Sequence, residues 1–231
     1  MTSLPVAPRP QARRAEIVIL VGVSVLVAFY YFARIDVIGV YSPWRGWSPM
    51  TAAPVPSAVH FGVAALVLGV VPVVIVRSYT GMTFSELGLG LGNRRLGIAL
   101  LAVGLPLAVL AGFIGAASPE VRAVYPLDLP AESANFLGYA VMQFLYFGAW
   151  EVLFRGVLLF GLRPQLGDGV ANSVQTALSV TAHFGRAFNE TFAALPAGML
   201  FGWFTLRIGS VWYVAVIHWM VGISLDWFIS R

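Results

Sequence analysis

Glu151, Arg155, His183 and His218 stand inside stretches of sequence that are otherwise almost wholly apolar, and no other feature constrains the fold as tightly. There are seven such apolar runs, at about residues 17–33, 57–76, 96–117, 135–162, 170–184, 191–206 and 210–229. A helix needs about 20 residues to cross the hydrocarbon layer of a bilayer. The fourth run is longer than that and the fifth shorter. The pattern therefore predicts an all-α, polytopic transmembrane helix bundle of about seven helices, within a range of six to eight. Only 10% of the residues are charged, against roughly 25% in a soluble domain. With a mean hydropathy of +0.84, lipid must be the solvent for much of the surface.

Several chemistries are excluded at once. There is no cysteine, which removes disulfides, zinc-thiolate sites and thiol nucleophiles. All 14 basic residues are arginine, which removes Schiff-base lysine chemistry. A net charge of +4 could suggest nucleic acid, but the arginines fall one to three at a time between apolar runs and form no basic face. That distribution reads as membrane topology, with the lipid bilayer as partner and no nucleic acid. With the N-terminus inside, eight arginines fall in inner segments and five in outer ones, which favours a cytoplasmic N-terminus in the cytoplasmic (inner) membrane. The proline- and arginine-rich start reads as a disordered cytoplasmic tail over 1–16. Residues 17–231 follow as a single transmembrane domain whose chemistry lies in 135–231. Two linkers carry helix breakers: 34–56, with four prolines and several aromatics, and 118–132, with three prolines and three acids.

An ionisable group inside a membrane helix costs roughly 2.5–3.5 kcal/mol on insertion scales, so each one needs a reason. Glu151 and Arg155 are four residues apart and share a helix face, a spacing that suits a self-neutralising ion pair. His183 is followed by Glu190 after seven residues and His218 by Asp226 after eight, so each acid lies near its histidine's face where the helix continues. His60 stands alone at the start of its run and reads as interfacial. A Glu–His pair can polarise a water for attack on a carbonyl. Two histidines and a glutamate (Glu151, His183, His218) can also ligate a divalent metal such as zinc, although no HExxH motif is present. No cofactor is required by either route. Ser173 and Ser179 lack a nucleophile setting of the GxSxG kind. The concentration of these residues in the C-terminal half argues against a transporter with matching broken helices in each half.

Three short patterns occur in order: Trp150-Glu151-Val-Leu-Phe-Arg155, Ser179-Val-Thr-Ala-His183 and His218-Trp-Met-Val-Gly222. They resemble the EExxxR, FxxxH and HxxxN motifs of the CPBP group, the CAAX-protease and bacteriocin-processing (Abi) intramembrane endopeptidases. An upstream Ser85-Glu-Leu-Gly-Leu stretch is similar to one that often precedes the family core. The resemblance implies a multi-helix membrane peptidase acting on a membrane-associated peptide or protein. In the family the first Glu and the second-motif His activate water, while the last-motif His and Asn hold the oxyanion. Here Trp150 replaces that Glu, Ser179 the Phe and Gly222 the Asn. The expected site is accordingly Glu151, Arg155, His183, Glu190, His218 and Asp226: Glu151 activates water with His183, Arg155 positions Glu151, His218 stabilises the oxyanion, and Glu190 and Asp226 orient the two imidazoles. The competing expectation is an altered member that acts in bacteriocin immunity, partner binding or acyl transfer. The oligomeric state is not legible.

Overall fold

The computed structural model describes residues 10–32, 57–125 and 136–231. The expected aromatic linker at 34–56, the first nine residues and part of the acidic linker at 118–132 lie outside them. The described residues are helical or in short connections, so the all-α expectation holds. Helix α1 is Pro10–Phe32 and begins seven residues before its apolar run. Proline is suited to the first helical position, and the charged turn around Arg13 and Arg14 extends the helix beyond the lipid-compatible part. Helix α2 covers 57–80, built from Ser57–Ala64, a π-helical stretch Ala65–Val70 and Val71–Thr80. Helix α3 is Arg94–Ala116 and α4 the single turn Pro119–Arg122. Helix α5 covers 136–160, as α-helix in Phe136–Glu151 and π-helix in Val152–Phe160. Helices α6 (Gly161–Ala182), α7 (Phe188–Ile208) and α8 (Trp212–Ile229) complete the bundle.

The continuous helical stretch 136–182 has 47 residues, about 70 Å at 1.5 Å per residue, far more than the roughly 30 Å hydrocarbon layer. It breaks at Gly167, whose φ of 74° and ψ of 166° belong to a region open essentially to glycine alone. Around the break, Arg163 and Asp168 form an exposed ion pair at 2.6 Å. Two crossings joined by a polar turn result, as the separate runs at 135–162 and 170–184 predict. Counting that stretch once, five stretches among the described residues are long and apolar enough to cross a membrane. The protein is a multi-pass α-helical membrane protein.

Helix α5 is the hub. All nine residues from Val152 to Phe160 are buried, because α1, α2, α6 and α7 pack around the π stretch while α8 packs on the preceding turns. Helix α3, by contrast, attaches mainly through α8. Its buried positions are Gly97, Gly104, Ala108, Gly112 and Ala116, and its large residues Ile98, Val103, Leu107 and Phe113 are exposed. Tyr213, Ile217 and Ser224 of α8 sit directly on the three glycines of that face. Small residues inward and bulky apolar ones outward is membrane logic: lipid covers the large side chains, and close backbone approach holds the helices together.

Residues 83–89, which contain the Ser85-Glu-Leu-Gly-Leu stretch noted in the sequence, form a strap between α2 and α3. Glu86 accepts from the Thr83 backbone N–H at 2.7 Å and from its hydroxyl at 2.8 Å, and the Glu86 N–H returns to Thr83 Oγ1 at 3.2 Å. This is the reciprocal pattern of a capping box. The turn drives Leu87 into the core, fully buried, and lets Gly88 approach the ring of Phe160. From there the strap pins the start of α8: Val211 N–H donates to Gly88 O at 3.0 Å, Trp212 Nε1–H to Leu89 O at 2.9 Å and Tyr213 OH to Leu91 O at 3.0 Å. The helix that carries His218 is thereby fixed against the helix that carries Glu151.

Candidate active site

Glu151 is fully buried at the junction between the α and π parts of α5. Its carboxylate is clamped from two sides. Arg155, 2% exposed, donates through Nη1 to Oε1 at 3.2 Å, and its Nε lies 3.1 Å from Oε2, an ion-pair distance without hydrogen-bond alignment. From α8, His218 Nδ1 meets Oε1 at 2.7 Å. A carboxylate paired with arginine only accepts, so Nδ1–H donates and Nε2 is the free ring nitrogen. Phe147 and Phe201 stand edge-on to the His218 ring at 4.6 and 5.9 Å between centroids.

His183 caps the C-terminal end of α6. Its Nδ1 is 2.7 Å from the carbonyl of Ser179, which can only accept, so Nδ1–H donates and Nε2 carries the lone pair. Because the bond uses the backbone, a serine at 179 serves as well as any residue there. The Trp150 ring lies edge-on to His183 at 5.1 Å, filling the flank where the motif pattern has a glutamate. At the start of α7, Glu190 Oε1 accepts from Tyr125 OH at 2.8 Å, and Thr191 Oγ1 ties the His183 carbonyl at 3.0 Å. Burial first, and then the Glu190 carboxylate, push the Tyr125 hydroxyl well above its ordinary value. It therefore stays protonated and remains a donor.

These elements enclose a cavity of about 40 Å³, on a measure where one water occupies about 10–15 Å³. His183, Glu190 and His218 line it together with Tyr125, Gln143, Trp150 and Arg186. Five of the six expected residues stand at the cavity or in the clamp behind it: His183, Glu190 and His218 on its wall, Glu151 and Arg155 holding His218 from behind. It is Tyr125 and not an imidazole that orients Glu190. Asp226 does not approach either imidazole. Its Oδ2 accepts from Tyr139 OH at 2.8 Å and from Gln143 Nε2 at 2.7 Å. The sequence placed it near the His218 face by spacing alone, and eight residues is more than two turns, enough to rotate it toward α5.

The absent Asn also has a physical account. A Cβ at Gly222 would collide with the Phe147 ring, so the aromatic that walls His218 occupies the room an asparagine would need. Glu151, His183 and His218 do not assemble as ligands: among the described residues no group of three His, Asp or Glu side chains could hold a metal ion. His60 is 1% exposed, with its ring 5.6 Å from that of Tyr146. It is enclosed by protein, because α2 turns that face toward α5. Tyr125, Gln143 and Phe147 were not singled out in the sequence. Gln143 alone left a signal there, as an amide in an otherwise apolar run.

The model of the type II CAAX prenyl endopeptidase Rce1-like family matches residues 132–224, which run from α5 to α8 and contain all three motifs. The resemblance to the CAAX-protease family is therefore shown over that stretch, less than half of the chain. No curated protein and no solved structure matches the chain.

Proposed function

We propose that the protein is an intramembrane endopeptidase of the CAAX-protease type, hydrolysing a peptide bond of a membrane-associated protein or peptide. The observation that carries this reading is the convergence of His183, Glu190 and His218 on one water-sized cavity walled by apolar helices. Water in the cavity is activated by His183 Nε2 and the Glu190 carboxylate. Its oxygen attacks the carbonyl carbon and its proton passes to that pair, from which the departing amine takes it as the C–N bond breaks. His218, held through Nδ1 by Glu151, donates from Nε2–H to the developing oxyanion, and Arg155 keeps the glutamate aligned. In this scheme Glu190 replaces the glutamate lost to Trp150, and Asp226 acts one step removed. The enzyme sits in the cytoplasmic membrane with its N-terminus cytoplasmic, residues 17–231 forming one transmembrane domain.

The test is cleavage of apolar, fluorogenic peptides by the full chain in proteoliposomes. His183→Ala and Glu190→Gln each lower kcat/KM by about 10²-fold or more, the usual scale of general acid–base catalysis, while helical content and thermal midpoint hold. Wild-type rates in both variants refute the scheme. A second reading has its own support: the Trp150 and Phe147 rings occupy the room of two polar groups in the family pattern. It describes a non-hydrolytic member that binds a partner peptide, serves in bacteriocin immunity or transfers an acyl group. Binding of peptides without any cleavage by the wild type favours it.

A further inference from the structure

Apart from Glu151 Oε2 and Arg155 Nε, which answer each other as an ion pair, two buried polar atoms on α5 have no hydrogen-bond partner among the described residues: the carbonyl Oε1 of Gln143 and the indole Nε1–H of Trp150. Both residues line the cavity, and they are only 2% and 4% exposed. Leaving a buried polar group unanswered costs about 1–3 kcal/mol, so an acceptor and a donor orphaned on one wall call for an explanation.

Neither atom is free to turn away. Gln143 Nε2 donates to Asp226 Oδ2 at 2.7 Å and lies 3.3 Å from Tyr139 OH, which itself donates to the same carboxylate oxygen at 2.8 Å. Asp226 Oδ2 already accepts from both groups, so a flipped amide would set its carbonyl against an acceptor, and Oε1 remains the open acceptor. The Trp150 ring is wedged between Phe154 at 4.8 Å, His183 at 5.1 Å and Tyr146 at 6.2 Å. Residues 143 and 150 are seven apart in the α-helical part of α5, so they share a face with a rise of about 10 Å between them. On one edge of an extended chain, an N–H and the C=O two residues further on are separated by roughly 9 Å at 3.3 Å per residue.

We propose that this face of α5 reads the backbone of an extended peptide, Gln143 Oε1 accepting an N–H and Trp150 Nε1–H donating to a C=O. Trp150 is then a substrate-binding residue, supplying a carbonyl donor at the position where the family pattern has a base. Asp226 and Tyr139 are positioning residues that act through Gln143. The cavity is smaller than a peptide, so binding spreads the helices around it. The role of this edge in turnover rests on the peptidase reading; the binding itself does not.

The probe is an end-capped, fluorescein-labelled Leu-Ala hexapeptide, with a set of analogues in which one backbone amide at a time is replaced by an ester. Equilibrium anisotropy is read with the full chain in lipid nanodiscs, and mass spectrometry confirms that the peptide is intact. The wild type loses about tenfold in affinity at one ester position. Gln143→Leu binds the all-amide peptide about tenfold more weakly and no longer distinguishes that ester. Trp150→Phe, which keeps a ring and removes the donor, also weakens binding by three- to tenfold yet still distinguishes it. Gln143→Met repeats the measurement if the leucine variant does not fold, and the ester series on the wild type needs no variant. A flat ester series, no binding of the hexapeptide, or a position-specific loss that survives in the Gln143 variants overturns the proposal. Peptide that is bound but never cut refutes the peptidase reading alone. Peptide that is cut with a flat ester series refutes the peptide-reading edge alone.

Discussion

Replacing Glu151 by leucine separates what the buried ion pair does for stability from what it does for the site. The two side chains are 0% and 3% exposed, so neither charge can reach water once its partner is removed. Breaking a buried pair by removing one member costs about 3–5 kcal/mol, whereas replacing both members with apolar residues is often neutral or better. Glu151→Leu leaves the Arg155 guanidinium without a carboxylate and His218 Nδ1 without its acceptor at 2.7 Å. It therefore falls at the upper end of that range. Arg155→Met leaves Glu151 with the imidazole still beside it and falls at the lower end. The double variant lies within about 1–2 kcal/mol of the wild type, a strong favourable coupling. The assay is reversible unfolding in mixed micelles followed by circular dichroism. On the proposed peptidase reading, cleavage by the double variant is lost even so, because His218 no longer has an orienting carboxylate. Additive losses in the double variant would show that the two charges do not depend on each other, and the reasoning would fall.

Gly222→Asn, which completes the HxxxN pattern, drives its side chain into Phe147 and costs about 1–3 kcal/mol as overpacking. Phe147→Ala in the same chain relieves the clash, so the pair unfolds at higher denaturant than Gly222→Asn alone. Gly112→Leu, facing Ser224 on α8, loosens α3 and lowers the thermal midpoint, while the lipid-facing Ile98→Ala stays within about 0.5 kcal/mol of the wild type. The Thr83 backbone N–H and then its hydroxyl hold the Glu86 carboxyl below its ordinary value. An acid with a depressed folded-state value contributes stability above the unfolded value and loses it as pH falls. The difference in thermal midpoint between wild type and Glu86→Gln is therefore full above pH 4.5 and shrinks steadily below it; a pH-independent difference would show that the capping turn does not act through this charge.

The long helices of the bundle were legible because lipid enforces long apolar runs, and even the split of 136–182 showed as a polar gap around Arg163 and Asp168. Glu151, Arg155 and His218 were legible for the complementary reason: charge inside such runs is rare and has to be paired. Less could be read of the neutral polar groups. Gln143 carries no charge to mark it, and Trp150 looked like the mere loss of a carboxylate because an indole N–H only matters once its surroundings leave it unpaired. Tyr125 lies beyond a single helical turn, in a segment whose composition says linker, yet it supplies the bond that holds Glu190. Asp226 was assigned from periodicity, which fixes a helix face and not the neighbour across it.

The π-helical part of α5 sets a limit on how this chain can change length. Between Val152 and Phe160 every residue is buried, so no side of the helix can absorb a shift. Removing one residue there would turn everything that follows relative to Glu151, carrying apolar faces out of register with the helices around them. An insertion would turn it the other way. Lineages of this protein should accordingly vary freely in the Gly167 turn, while keeping the count from Glu151 to Gly161 constant.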